Sequence, residues 1–217
     1  MTVPTKHRSQ QFSIVLIASL LAIVAYTFPW LLNPGGSLSL GANDLAEWAS
    51  IHPHTHIENP SLLTSLFLRL PLAFLALIVS FSTPTPAFKS HGWWLGVLVV
   101  ICIAVALMPP LEIFTSARGS ASYLQQATLV AFVTLGGTLG LSGLLSKWRW
   151  MVVVVISILG IISVFSGLRN AYKLMSDFRL PVQVSLGGVC FAAILIVVII
   201  TTWMSRSTSG KQKHQTG

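Results

Sequence analysis

The sequence predicts an all-α fold: a polytopic membrane protein, a bundle of about six transmembrane helices with short extracytoplasmic amphipathic helices. Of its 217 residues, 53% are hydrophobic and 8% are charged, whereas a soluble domain carries about 25% charged residues. The apolar residues occur in blocks of the ~20 residues needed to cross a ~30 Å hydrocarbon layer. Basic residues collect in alternate connecting segments, as expected of a chain that crosses a membrane repeatedly.

Six apolar segments are long enough to be transmembrane spans. The first follows Lys6 and Arg8, as a signal peptide would, but its apolar core exceeds the ~7–15 residues of a signal sequence and no small-residue cleavage site follows it. We therefore expect a retained anchor. The second span starts near 62 or a turn or two later, ending as far on as 88. The expected spans are 12–32, 62–82, 93–113, 127–146, 150–168 and 186–204.

The distribution of charge predicts the orientation. With the N-terminus in the cytoplasm, the inner segments are 1–11, 83–92, 147–149 and 205–217, and they contain basic residues but no acid. All five acids of the chain then lie on the outer side. An excess of lysine and arginine on the cytoplasmic side is the main determinant of topology. We expect both termini in the cytoplasm, a location in the plasma (inner) membrane, and disorder in the polar, basic tail 205–217.

The first outer connection contains a predicted short helix, in the segment GANDLAEWASIHP. Asn43 or Asp44 can cap its start, since both are preferred N-cap residues, and Pro53 should end it. Leu45 and Trp48 are three residues apart and share a face, which we expect to lie on the membrane surface.

The sequence HPHTHIE follows, with four possible metal ligands at alternate positions: His52, His54, His56 and Glu58. An extended chain would point all four to one side, but it would spread them over about 20 Å. Zinc needs its ligands at about 2.0–2.2 Å, so a site requires a sharp bend or further ligands, for which Asp44 or Glu47 are nearest. A metal site, a pH-responsive cluster and a solvated loop are the three interpretations, and the solvated loop is favoured.

Arg69 is the one charge that could lie within the hydrocarbon. A charge at mid-bilayer costs at least ~2.5–3.5 kcal/mol and usually indicates a partner or a function. If the second span begins at 70, however, Arg69 lies at the outer interface and can extend into the headgroups; this is the favoured interpretation. The alternative is an ion pair between Arg69 and Glu112, which stands at the outer end of the third span.

Glycines mark one face of the fourth span, at Gly136, Gly140 and Gly143. Small residues at this spacing let two helix backbones approach closely. We expect the neighbour to be another span of this chain; a separate subunit is the alternative. The outer segment near 169–184 is expected either to extend the fifth span or to form an interfacial helix. Together with the short helix near 43–51, it should form a structured outer cap.

The sequence has no phosphate-binding loop, nucleophile elbow or zinc-protease motif, and no acid near mid-membrane. Ion-coupled transport is therefore weakly supported, and no cofactor, nucleic acid or soluble substrate is expected. The favoured function is a non-catalytic subunit or partner of a larger membrane transport complex, in contact with the bilayer and another integral membrane protein. The alternative is a small transporter lined by Thr134, Thr138 and Ser142. A third possibility is an enzyme that uses the outer histidines and acids.

Overall fold

The computed structural model of this protein describes residues 5–34, 39–57, 62–84, 91–114, 119–177 and 181–215. Its described elements are α-helices and three two-residue strands, with a short 3-10 helix at Leu111–Phe114. In chain order they are α1 (Thr5–Thr27), β1 (Leu31–Leu32), β2 (Ser39–Leu40), α2 (Ala42–Ile51), α3 (Pro53–Ile57), α4 (Leu63–Ser82), α5 (His91–Ala106), α6 (Ala121–Ser142), α7 (Arg149–Asp177), β3 (Gln183–Val184) and α8 (Leu186–Gln215).

The predicted all-α fold is confirmed, and five helices are long and apolar enough to cross a membrane: α1, α4, α6, α7 and α8. The helix at the predicted third span, α5, has 16 residues, or about 24 Å at 1.5 Å per residue. It ends at Ala106, whereas the sequence predicted a span to 113. Pro109 and Pro110 follow shortly afterwards, and a helix normally ends before the residue that precedes a proline.

The contacts between helices define two ends of the bundle. At one end, which we call the Trp30 end, α1 finishes beside the starts of α8 and α4: Gly187 N–H donates to the Pro29 carbonyl at 3.0 Å, and the Tyr26 hydroxyl donates to the Leu68 carbonyl at 3.0 Å. At the other, the Arg149 end, the start of α7 meets the end of α4. Helices α4, α6 and α8 therefore run from the Trp30 end to the Arg149 end, and α1 and α7 run in the opposite direction.

Helix α4 is the centre of the bundle, since α1, α2, α5, α6 and α7 all pack against it. Its side chains from Leu72 to Val79 are buried except for Phe74, which is half-buried. Two neighbours approach its backbone closely through glycines. A Cβ added at Gly167 of α7 would stand 3.1 Å from Leu68 N, and one at Gly140 of α6 would stand 2.9 Å from Ser80 C.

A small cap covers the Trp30 end. Strand β1 lies between β2 and β3 and pairs antiparallel with both. Trp30, immediately before β1, is fully buried. Helix α2 packs on α4 and buries Leu45 completely, so its apolar face lies against the protein and the prediction that it rests on the membrane surface is wrong. Its start also differs slightly: Gly41 is the N-cap, and the Asp44 carboxylate accepts a bond from Gly41 N–H at 3.2 Å.

The last two long helices extend beyond the predicted spans. Helix α7 continues to Asp177, which is the first of the two predicted arrangements for the 169–184 segment. Helix α8 continues to Gln215, where composition had predicted a disordered tail. Adding residues to an existing helix avoids the unfavourable nucleation step, which explains why a polar segment directly after a span remains helical.

Candidate functional site

Arg69 lies inside α4, with 2% of its side-chain surface exposed. The helix begins at Leu63, so the second span occupies the 62–82 position and Arg69 is more than one turn within it. A span that begins at 70, as the favoured interpretation required, is therefore wrong, whereas the position of Arg69 relative to the headgroup region stays a prediction. The side chain of Arg69 is buried because α1, α2, α6 and α7 all pack against α4.

The guanidinium of Arg69 joins α4 to α6. Its Nη1 donates to Ser65 Oγ at 2.9 Å and to Gln125 Oε1 at 3.4 Å. Ser65 stands four residues earlier on the same helix, so the arginine side chain runs back toward the Trp30 end, as helical side chains do. Gln125 also donates through Nε2 to the Leu62 carbonyl at 3.1 Å, which fixes its amide against the arginine.

The second guanidinium nitrogen, Nη2, is buried and has no hydrogen-bond partner among the described residues. The carboxylate of Glu47 in α2 acts on Arg69 electrostatically. Glu47 is exposed, and its Oε1 accepts a bond from Asn43 Nδ2 at 3.2 Å. A buried charge without a bonded counter-charge is strongly destabilising, and in a membrane protein such a residue indicates a functional site.

The predicted pair between Arg69 and Glu112 involves a side chain outside the described part of the structure. The backbone of Glu112 lies in the short 3-10 helix at Leu111–Phe114, which follows α5. An ion pair with Glu112 would compensate the charge of Arg69, and this pair stays a prediction.

Leu62 adds backbone strain at the same place. Its φ of 59° is left-handed, a conformation that stores about 1–3 kcal/mol in a non-glycine residue and often accompanies function. Its N–H donates to the Thr55 carbonyl at 2.7 Å, and its carbonyl accepts the Gln125 bond. We call Leu62, Ser65, Arg69 and Gln125 the Arg69 site.

Sequence reasoning identified only one member of the Arg69 site. Ser65 could have been found from its position four residues before the arginine, since such residues are neighbours on a helix. Gln125 belongs to a helix 56 positions away in the chain, and no periodicity signals that contact. The conformation of Leu62 gives no signal either, because leucine rarely adopts positive φ.

The histidine segment forms α3, Pro53–Ile57, so the prediction of an extended chain is wrong. Proline is favoured at the first position of a helix because its missing N–H is not needed there. His52 ends α2 and then caps α3: its Nδ1 accepts the N–H of His54 at 3.1 Å. The His52 ring also contacts Trp48, with centroids 5.4 Å apart.

This geometry changes the basis of the metal hypothesis. In a helix, residues two apart do not face each other, so alternation no longer places the four groups on one side. Among the residues that the structure describes, no three His, Cys, Asp or Glu side chains form a possible metal site. The side chain of His56 and all of Glu58 lie outside that part, so a site built from His52, His54, His56 and Glu58 stays a prediction.

The glycines of α6 divide into two roles. Gly140 faces the α4 backbone at Ser80 and Phe81, whereas a Cβ at Gly136 would meet only the side chain of Leu77, at 2.7 Å. Gly143 lies beyond the helix as its C-cap, with φ 74°, the left-handed conformation that favours glycine there. The contacts of Gly136 and Gly140 are with α4 of the same chain, and that of Gly137 is with Val100 of α5.

The hydroxyl groups that were expected to line a solute path are on the outside of the bundle. Thr134, Thr138 and Ser142 are all exposed. Thr134 Oγ1 donates to the Val130 carbonyl at 2.7 Å, Thr138 Oγ1 donates to the Thr134 carbonyl, and Ser142 Oγ donates to the Leu139 carbonyl at 2.9 Å. These groups bond to their own helix, and they do not face the centre of the bundle.

Comparisons with family models, curated proteins and solved structures find no match for this chain. Its function is therefore inferred from the residues and their packing. The Arg69 site and the closed centre of α4 are the two features that bear on it.

Proposed function

We propose that this protein is a non-catalytic integral membrane protein that serves as a subunit or partner of a larger membrane transport complex. The observation that carries this proposal is the closed, apolar centre of the bundle. Residues 72–79 of α4 are apolar and packed on several sides by neighbouring helices. A polar or ionic solute needs ionisable or polar groups along its path, and this segment provides none.

Three buried serine hydroxyls in the spans support the same conclusion. Ser19 donates to the Val15 carbonyl at 2.7 Å, Ser80 to the Leu77 carbonyl at 2.8 Å, and Ser157 to the Val153 carbonyl at 2.8 Å. Each bond stays within one helix, so these groups satisfy backbone carbonyls locally. These three hydroxyls therefore do not face one another along the bundle axis.

We further propose that the chain crosses the plasma membrane six times, with α5 as the third span. Helix α5 runs antiparallel to α4: its Gly96 lies against Thr83 at the Arg149 end, and its Val100 lies against Gly137 of α6. A span a few ångströms short is accommodated by local thinning at fractions of a kcal/mol per Å. The basic, acid-free segments support a cytoplasmic Arg149 end with both termini.

Purification in a mild detergent tests the assembly role. We expect a stoichiometric integral membrane partner to elute with the full chain, and the isolated chain to unfold at a lower temperature than the complex. A chain that elutes alone and is equally stable without any partner contradicts the proposal. Cysteine labelling from outside the cell tests the topology: position 54 should react and position 211 should not.

A small transporter is the second candidate, and the Arg69 site favours it. Buried Nη2 has the chemistry to donate to an anionic group near the Trp30 end. If solute recognition is its role, acetate or phosphate should raise the unfolding temperature of the wild type but not of Arg69→Met. An equal shift in both proteins, or none in the wild type, removes this candidate.

A further inference from the structure

The Arg149 end carries an exposed basic and aromatic cluster that joins α7 to α8. The guanidinium carbon of Arg206 stands 3.7 Å from the centroid of the Trp150 ring, a cation–π distance. Trp203 meets Trp150 edge-on, with centroids 6.2 Å apart, and 60% of its surface is exposed. We call Trp150, Trp203 and Arg206 the Arg206 cluster.

Stacking holds the Arg206 guanidinium in a defined position and leaves its donors at the edge of the plane. A planar guanidinium presents its N–H groups in the fork that matches phosphate oxygens. The side chain is exposed, so these donors are accessible to a ligand. By contrast, Arg149 uses its Nη2 on backbone carbonyls of Ser80, Thr83 and Gly140.

A buried hydroxyl lies one turn deeper on the same helix. Thr202 precedes Arg206 by four residues, so both stand on one face of α8. Its Oγ1 is buried and has no hydrogen-bond partner among the described residues. One helical turn is about 5.4 Å, so Thr202 lies closer to the centre of the bundle than Arg206 does.

Charge at this end is of one sign. The sequence segments that meet here contain Lys147 and Arg206 but no acid. The acids whose side chains the structure describes, Asp44, Glu47 and Asp177, belong to α2 and to the end of α7, both at the Trp30 end. Tryptophan also prefers the headgroup depth of a bilayer. A cationic, aromatic site at that depth is complementary to an anionic phosphate.

We propose that the Arg206 cluster binds the phosphate of an anionic phospholipid headgroup. Arg206 donates to the phosphate oxygens, while Trp150 and Trp203 fix the guanidinium and pack beside the glycerol region. Basic side chains between helices at the cytoplasmic face bind anionic headgroups in this way, and each contributes about 1 kcal/mol near the surface. The proposal needs no protein partner; it depends on the proposed topology only for the choice of leaflet.

Native mass spectrometry of the full chain in mild detergent tests this, with phosphatidylglycerol and phosphatidylcholine titrated in parallel. We expect the wild type to prefer phosphatidylglycerol and Arg206→Gln to lose about fivefold of that preference, the equivalent of ~1 kcal/mol. Arg206→Lys keeps the charge without the planar fork and should retain an intermediate preference. This conservative variant keeps the test valid if the glutamine variant does not fold.

Arg169→Gln is the matched control, because Arg169 is an exposed arginine of α7 near the Trp30 end. It should leave the lipid preference unchanged. Equal losses in both variants, or no preference in the wild type, would overturn the proposal. A third arm adds inorganic phosphate: if it displaces phosphatidylglycerol at equal concentration, the ligand is free phosphate and the lipid assignment is wrong. Failure of this test leaves partner copurification unaffected, so the two proposals can fail separately.

Discussion

The hydroxyl of Ser163 in α7 donates a 2.8 Å hydrogen bond to the backbone carbonyl of Phe67 in α4. Pro71, four residues after Phe67, lies inside α4 and has no N–H to bond that carbonyl. Gly167, one turn from Ser163, lets the two backbones approach closely. The serine therefore replaces the hydrogen bond that the proline removes, and it does so from a different helix.

The first prediction concerns this bond. Ser163→Ala should lower the free energy of unfolding by about 0.5–2 kcal/mol, because a buried carbonyl loses its donor. Pro71→Ala restores an N–H at the position that normally bonds Phe67. In the Pro71→Ala protein, Ser163→Ala should therefore lower the free energy of unfolding by a smaller amount. Thermal unfolding of the four proteins in detergent measures the coupling.

Ser157→Ala is the control for Ser163→Ala. Ser157 is also buried on α7, but it bonds its own helix at Val153, so its removal should change stability little. Strictly additive effects of the Ser163 and Pro71 substitutions would show that the serine does not replace the missing bond.

The second prediction distinguishes two glycines of α6. Gly140→Ala should destabilise the fold by about 1–3 kcal/mol, because its Cβ would stand 2.9 Å from Ser80 C and 3.0 Å from Phe81 N, which are backbone atoms. A Cβ at Gly136 would meet only the flexible end of Leu77, so Gly136→Ala should destabilise the fold far less. Similar unfolding temperatures for the two variants would contradict the close approach of α6 and α4.

The third prediction concerns Arg149, which donates to carbonyls at the ends of α4 and α6. A cation at helix C-termini is stabilising, both through hydrogen bonds and through the helix dipole. Arg149→Gln should lower stability by about 1.5–3 kcal/mol. Lys147→Gln, an equal charge loss at an exposed residue two positions earlier, should stay near wild type, and a comparable loss there would attribute the effect to net charge alone.

The fourth prediction tests the Arg69 site. Arg69→Met removes a buried charge while keeping most of the side-chain volume, so stability should be unchanged or higher. Gln125→Leu should be destabilising in the wild type, because it removes an acceptor from the guanidinium, and less so when combined with Arg69→Met. The same double-mutant cycle with Glu112→Gln examines the predicted ion pair: additive effects would reject it.

The fifth prediction concerns the histidine segment. We expect protein purified without a histidine tag to contain well under one equivalent of any transition metal, because α3 does not place alternate residues on one face. Elemental analysis measures this directly. A full equivalent that is lost in a His54→Ala, His56→Ala double variant would establish the metal site instead.

Helical periodicity and membrane physics were sufficient to predict part of this structure. The blocks of apolar residues predicted an all-α membrane protein, and five of the expected spans correspond to helices long enough to cross. Pro109 and Pro110 indicated that α5 ends early, but the predicted end at 113 was set from the length needed to cross a membrane. The short helix α2 was also predicted, with Pro53 marking its end, but its N-cap is Gly41 and not Asn43 or Asp44.

The sequence alone determined that the chain belongs in a bilayer, since so few charges cannot cover a water-exposed surface. Tertiary structure alone decided the role of individual polar residues. Arg69 is buried because neighbouring helices pack against α4, and Gln125 reaches it from a segment distant in the chain. The transfer free energy of an apolar block is a sum over neighbouring residues, so it can be read from the sequence. A hydrogen bond between helices depends on which helix faces meet, and only the tertiary structure decides that.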